Sequence, residues 1–149
     1  MSTTLPTQRL RDWPERLAAL FAASAARPFE WGRFDCCLFA ADAVQAVTGH
    51  DPAADLRGRY RSKLGAARVL GRFGGVAGVA AARAGLEVPP AMAQPGDVGL
   101  SHHQPGQPAL AVWGGSAWHA VGAGAGLVVV PASAVVRAWR CTAEPAAQE

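Results

Sequence analysis

Cysteine and histidine are the residue types in this chain able to attack a carbonyl or move a proton near neutral pH, and one placement organises the rest. Asp35-Cys36-Cys37 ends an aromatic, turn-prone approach (Pro28, Phe29, Trp31, Gly32) and opens an alanine-rich run with no Gly or Pro until Gly49. Asp is a strong N-cap because its carboxylate accepts the unpaired N–H groups of a first turn, and Gly is preferred just past a helix end. The run is therefore expected to be a helix over residues 36–48 with both cysteines in its first turn. Peptide dipoles concentrate partial positive charge there, so a thiol at that position ionises more readily than a free one. Cys36 is on this argument a candidate nucleophile; the alternative is a packed thiol, the common state of free cysteine.

A thiol nucleophile needs an imidazole to take and return a proton, and a third group to orient that imidazole. His102 and His103 fall in the polar stretch S-H-H-Q-P-G, read as a loop, and His119 falls in W-H-A, read as strand. His50 follows the helix end, where it is expected to cap carbonyls. Cys36, Cys37, His102, His103 and His119 are soft metal ligands, but adjacent cysteines on one helix point about 100° apart and seldom share an ion. No metal and no cofactor is expected. Cys36 and Cys37 are neighbours and Cys141 is distant, which forms neither a disulfide framework nor a C-x-x-C pair.

The elements that must position these groups divide the chain in two. Asp12-Trp13-Pro14-Glu15 is a capping-box signature with proline in the first turn, and Leu17, Leu20, Phe21 and Ser24 follow at helical spacing, so a helix is expected over 13–26. Asp51-Pro52 restarts a short helix that Gly58 stops. Residues 62–73 and 76–84 read as two more helices, ended by Gly74-Gly75 and Gly85, and the alternation of Arg57, Arg59 and Arg61 about Tyr60 reads as surface. After Pro89-Pro90 the texture changes to short β-branched or aromatic runs at 98–100, 109–113, 117–121, 127–130 and 135–140, separated by Gly and Pro clusters. Gly114-Gly115 suits a tight hairpin. Helices first and strands afterwards predict an α+β fold, with the N-terminal helices packed on one face of a small C-terminal antiparallel β-sheet.

The chain's 149 residues suffice for one domain with a real core and are too few for two ordinary ones. The expected division is a polar N-terminal arm over 1–11, one domain over 12–141 and a flexible tail over 142–149, frayed from Pro145 onward. A formal net charge of +3 is spread over dispersed arginines with few aromatics between them, a pattern of solvated surface and not of a nucleic-acid track. The first eleven residues lack the apolar core of a signal peptide, and no run approaches membrane-spanning length, so neither export by a leader nor membrane insertion is expected. Asp97, after a Gly, reads as a turn carboxylate bonded to backbone. Trp31, Trp113, Trp118 and Trp139 are either walls of a peptide groove or core anchors.

The order of Asp35-Cys36 heading a helix, Gly96-Asp97-Val98 opening a strand, and a glycine-turned hairpin ending in Trp118-His119-Ala120 resembles the NlpC/P60 papain-like cysteine peptidases, over roughly residues 28–121. That family cleaves peptide bonds in bacterial cell-wall peptides. The resemblance implies an NlpC/P60-like fold, Cys36 as nucleophile and His119 as orienting group. It also implies a base at the start of the strand that here reads Pro108-Ala109-Leu110-Ala111-Val112, where no histidine stands. A missing general base costs about 10²–10⁴-fold in rate, so the resemblance implies a catalytically degenerate site. Two rescues stay open: His102 or His103 folding back over Cys36, or His119 acting as base.

A second resemblance covers most of the chain. W-G-x-x-D-C (Trp31-Gly32, Asp35-Cys36), T-G-x-D-P (Thr48-Gly49, Asp51-Pro52), R-G-x-Y (Arg57-Gly58, Tyr60), G-D-V and a terminal A-W-R (Ala138-Trp139-Arg140) are similar to an uncharacterised phage and prophage family encoded among tail-tip genes. It implies a virion component at the tail tip, present in the host cytoplasm during assembly, with the tail hub and the large tip protein as partners. The alternative it leaves open is an active peptidase or amidase acting on peptidoglycan stem peptides during genome delivery, with Cys36 as nucleophile and His119 or His103 as base.

Overall fold

The structure is a computed structural model and describes residues 5–145. Four helices come first: α1 (Trp13–Ser24), α2 (Cys36–Thr48), α3 (Lys63–Gly71) and α4 (Gly75–Arg83). Six strands follow: β1 (Glu87–Val88), β2 (Val98–Gln104), β3 (Gln107–Trp113), β4 (Trp118–Val121), β5 (Leu127–Val130) and β6 (Val135–Trp139). They form one antiparallel sheet in the order β1-β6-β2-β3-β4-β5. The α+β arrangement of helices before sheet is thus the observed one.

α2 is the centre of the molecule. Its cap is as expected: Asp35 is extended and its Oδ1 accepts the Leu38 N–H at 3.0 Å, while Gly49 ends the helix with φ at 81°, a conformation that costs a residue with a Cβ. One side of the helix presents Phe39, Val44 and Val47 to Leu100, Leu110, Val112 and Trp139, and the other presents Cys37, Leu38 and Ala41 to Leu56, Tyr60, Leu70 and Val79. Full burial of such side chains stabilises by about 1.5–3 kcal/mol each, which makes α2 the wedge between the sheet and the α3–α4 layer. A smaller cluster on the far face of the sheet joins Ala111, Trp118, Ala120, Val130, Val135 and Ala138. Gly99 is required there, since a Cβ at that position would lie 2.7 Å from the Trp118 ring.

Five expectations change. Asp12 makes no side-chain cap, so the start of α1 is held by Pro14 in its first turn and by backbone bonds, Trp13 N–H to Leu10 O and Arg16 N–H to Asp12 O. Asp51-Pro52 begins turns and not a helix. The Asp51 carboxylate takes the Ala53 N–H at 3.0 Å and the Arg57 guanidinium at 2.7 Å, closing a loop before a helical ladder forms. β2 runs on through His102, His103 and Gln104, which are strand and not loop, because the β2–β3 hairpin turns only at Pro105-Gly106, with Gly106 at φ 69°. β1 is an edge strand of two residues, too short to carry a sequence pattern. Tyr60 is buried, 4 % exposed, and not part of a surface alternation.

The stretch read as a polar N-terminal arm is packed from Leu5 onward: Leu5 is buried, Leu10 N–H donates to Val47 O at 2.8 Å, and Ala143 N–H ties the C-terminal segment to Pro6 O at 2.8 Å. The remainder of the expected arm, 1–4, and of the expected tail, 146–149, lies outside the described residues.

Candidate functional site

The approach to Cys36 is built on one carboxylate. Asp35 is 2 % exposed, and beyond capping α2 it accepts the Gly32 N–H and the Tyr60 hydroxyl on Oδ2, both at 2.9 Å. Gly32 has φ at 80°, and a Cβ on it would fall 2.0 Å from the Tyr60 carbonyl oxygen, so only glycine lets the two segments touch. The Gly58 N–H donates to Gly32 O at 2.9 Å, and Arg57 bridges Asp51 and Asp42, at 2.7 Å to each. Trp31-Gly32, Asp35, Asp51, Arg57-Gly58 and Tyr60 are therefore one interlocked frame around the start of α2.

Cys36 itself is half-buried and looks into a groove of two lobes that share Trp31, Cys36, Gln107 and Pro108. One lobe, about 740 Å³ including open solvent, runs along α3 past Tyr60, Lys63, Ala67 and Gly71. The other, about 920 Å³, runs past Phe29, Gln104, Ala109 and Ala123. Burial pushes the Cys36 thiol up to about 11; the backbone N–H of Leu110 acts against this and the Asp35 carboxylate adds to it. The expected activation by the helix start is thus outweighed by desolvation and by the neighbouring anion. Cys37 points into the α3–α4 layer and its thiol is raised further, again by burial first. Cys141 lies away from both, in the core beside Val47 and Gly96.

The histidines do not converge on Cys36. His119, on β4 opposite Val112, stacks on Phe21 of α1 with ring centroids 4.9 Å apart, and lines neither lobe of the groove. Leu110, which meets the Cys36 sulfur, is two residues further along β3, about 7 Å of strand away. His103 sits with Ser101 on the far face of the sheet, its Nδ1 2.7 Å from Ser101 Oγ and its Nε2 buried without a partner among the described residues. Folding back over Cys36 would require passing through the sheet. His102 is exposed on β2. His50 does not cap carbonyls through its ring, whose buried Nε2 has no partner either. Burial holds the imidazoles of His103 and His119 below their ordinary range, so both favour the neutral form.

Asp97 is the turn carboxylate anticipated, and more. Fully buried, it accepts the N–H groups of Cys141 and Gln94 at 2.9 Å each and the Arg140 guanidinium at 3.0 Å, with Arg9 at 3.8 Å. G-D-V and A-W-R thus close on each other as a structural tie. Of the five tryptophans, Trp118 and Trp139 are core, Trp13 packs against the core, Trp113 packs on Trp118, and Trp31 alone lines the groove.

The profile of a family described as a domain of unknown function (DUF6950) matches residues 8–141. The chain belongs to the DUF6950 family. No curated protein and no solved structure matches it. In this DUF6950 domain the groove residues that sequence reasoning missed are Tyr60, Lys63, Gln107 and Pro108. A lone aromatic between two arginines was the available signal for Tyr60; for Gln107 and Pro108 there was none, because only the hairpin register brings them over Cys36. Among the described residues no three His, Cys, Asp or Glu side chains cluster as metal ligands would, and no helix is long and apolar enough to cross a membrane.

Proposed function

We infer that this DUF6950 protein is a structural component of a phage tail tip, built on an NlpC/P60-like, papain-like scaffold that has lost catalysis. The observation that carries the loss is the surroundings of the Cys36 sulfur: the Leu110 backbone meets it, Trp31 and the Gln107-Pro108 start of β3 stand with it in both lobes, and none of the four histidines lines either lobe. Without a base the thiol has no route to thiolate and the leaving amine no proton donor. The tail assignment rests on the motif resemblance. In the fold, those same motif residues form the frame and the Asp97 tie, which is what a family held together by architecture and not by chemistry requires. The partners on this reading are the hub and the large tip protein, the virion tail tip is the destination, and assembly takes place in the host cytoplasm.

The second reading, an active peptidase on peptidoglycan stem peptides, is favoured by one feature: Cys36 heads a capped helix and opens into a groove. Alkylation by iodoacetamide separates the two. On the structural reading the Cys36 rate stays low through neutral pH and climbs toward about 11. Tails assembled with Cys36→Ala are as infectious as the parent. Fast alkylation below pH 7 together with turnover of a cell-wall peptide that Cys36→Ala abolishes would overturn it.

A further inference from the structure

Between Leu56 and Leu86 the chain carries no Asp or Glu. Arg57 and Arg83 in that stretch are committed to Asp42, Asp51 and Asp55. The others, Arg59, Arg61, Lys63, Arg68 and Arg72, are all exposed, and among the described residues none has an ion-pair or hydrogen-bond partner for its side chain. Their placement is not diffuse. Lys63 lines the groove over Cys36. α3 turns Ala66, Ala67, Leu70 and Gly71 toward the same lobe, with Arg68 and the exposed Leu64 on its solvent side. The loop carrying Arg59 and Arg61 flanks Tyr60, which forms part of the lobe. An apolar trough with a tryptophan in its wall therefore has Lys63 in its lining and Arg59 and Arg61 on the loop beside it, cations that no side chain among the described residues neutralises. The opposite wall, Gln104, Gln107 and Pro108, is uncharged.

We propose that this trough docks an extended acidic segment of a protein partner, apolar side chains entering the lobes beside Trp31 and carboxylates facing Arg59, Arg61 and Lys63. Two lobes meeting at Cys36 match the alternate side-chain pockets that an extended chain fills, and uncompensated rim charge supplies attraction and register. Nucleic acid fits less well, since of the groove aromatics Tyr60 is buried with its hydroxyl on Asp35, and Phe29 and Trp31 meet edge-to-face at 4.8 Å, leaving no run of parallel platforms for successive bases. The inference rests on the reading of the groove as free of turnover, and the test keeps the two apart.

The test uses the full chain carrying Cys36→Ala and a short, end-blocked, fluorescein-labelled peptide of glutamate, serine and leucine, read by fluorescence polarisation. The peptide binds. Raising salt from about 0.1 M to about 1 M, which shortens the screening length from about 10 Å to about 3 Å, weakens binding by about tenfold or more. The exposed triple variant Arg59→Ser, Arg61→Ser, Lys63→Ser weakens it at least as much. Pro108→Asp, on the uncharged wall of an exposed hairpin, also lowers affinity while far-ultraviolet circular dichroism stays unchanged. A lysine-for-glutamate peptide that binds equally, a triple variant that binds as the parent does, or preferential capture of single-stranded DNA or of a muropeptide overturns the proposal. Turnover of a muropeptide by the parent chain would sink the retired-enzyme reading and leave charge-dependent capture standing. Charge-independent capture sinks this inference and leaves that reading untouched.

Discussion

Two buried aspartates stand at the starts of elements in this domain, and they are solved differently. Asp97 is held by two backbone N–H groups and faces two arginines, Arg140 and Arg9. Asp35 is held by two backbone N–H groups and a phenolic hydroxyl, with no cation paired to it among the described residues. The first is a neutralised lock that joins the N-terminal segment, the β2 start and the chain's end. The second is a buried carboxylate without a counter-charge among the described residues, and it raises the Cys36, Cys37 and Tyr60 ionisations, each in addition to a larger effect of burial. A carboxylate that stabilises a helix start electrostatically opposes the thiolate one residue later. Caps and nucleophiles compete for the same partial charge, and here the cap prevails.

The comparison is most exposed at Asp97. Asp97→Ala takes the anion from Arg140, which is partly exposed and keeps Met92 O, and leaves the buried Cys141 N–H and the part-buried Gln94 N–H without an acceptor, a loss of about 1–3 kcal/mol for each stranded donor. Urea unfolding should show that loss as a fall in midpoint without a change in slope. A cost under about 1 kcal/mol, the range of surface pairs, would mean that Asp97 is not the lock described.

Asp35→Ala should cost less. Loss of the cap removes about 1 kcal/mol, and the Tyr60 hydroxyl, left buried without an acceptor, adds about 1–2 kcal/mol. Tyr60→Phe in the same background restores part of the loss by removing the orphaned hydroxyl, and a double-mutant cycle measures the coupling. If Asp35→Ala and Tyr60→Phe add without coupling, the frame linking W-G-x-x-D-C to R-G-x-Y is not a unit.

How far the chain could be read in advance follows the same division. α2 was legible to the residue because its two ends are chemical: a carboxylate at Asp35 and a left-handed glycine at Gly49. β5 was legible because Leu127 leads into three successive β-branched valines, Val128, Val129 and Val130. Asp51-Pro52 misled, since its proline suits a helix start while its aspartate serves Arg57. β2 was read short because Ser101, His102, His103 and Gln104 have the composition of a loop; their strand conformation comes from pairing with β3, a partner that local pattern does not reveal. The candidate site was legible as a list and not as a place. Cys36 and His119 sit on the expected elements, but whether they meet depends on β3–β4 register and on Phe21, which claims the imidazole face.

The smallest expected effect separates the two aspartates by titration. Unfolded thiols ionise near the ordinary value of 9.0, whereas folded Cys36 is pushed up to about 11 and Cys141 to about 12, burial being the main cause in each. Between those values the folded chain holds protons that the unfolded chain has released, so stability is complete below pH about 9 and falls as pH rises toward 11 and beyond. Asp35→Asn removes the anion beside Cys36 and retains an acceptor for the Leu38 N–H, which moves the folded thiol toward its unfolded value and shallows that alkaline decline. It also speeds iodoacetamide at pH 9 by less than about tenfold, since a whole tenfold would require one full pKa unit from a secondary contributor. Neutralising Asp97 has no route to Cys36 and leaves its alkylation profile in place. Equal shifts from the two substitutions would show that global loosening, and not the uncompensated carboxylate at the cap, controls the thiol.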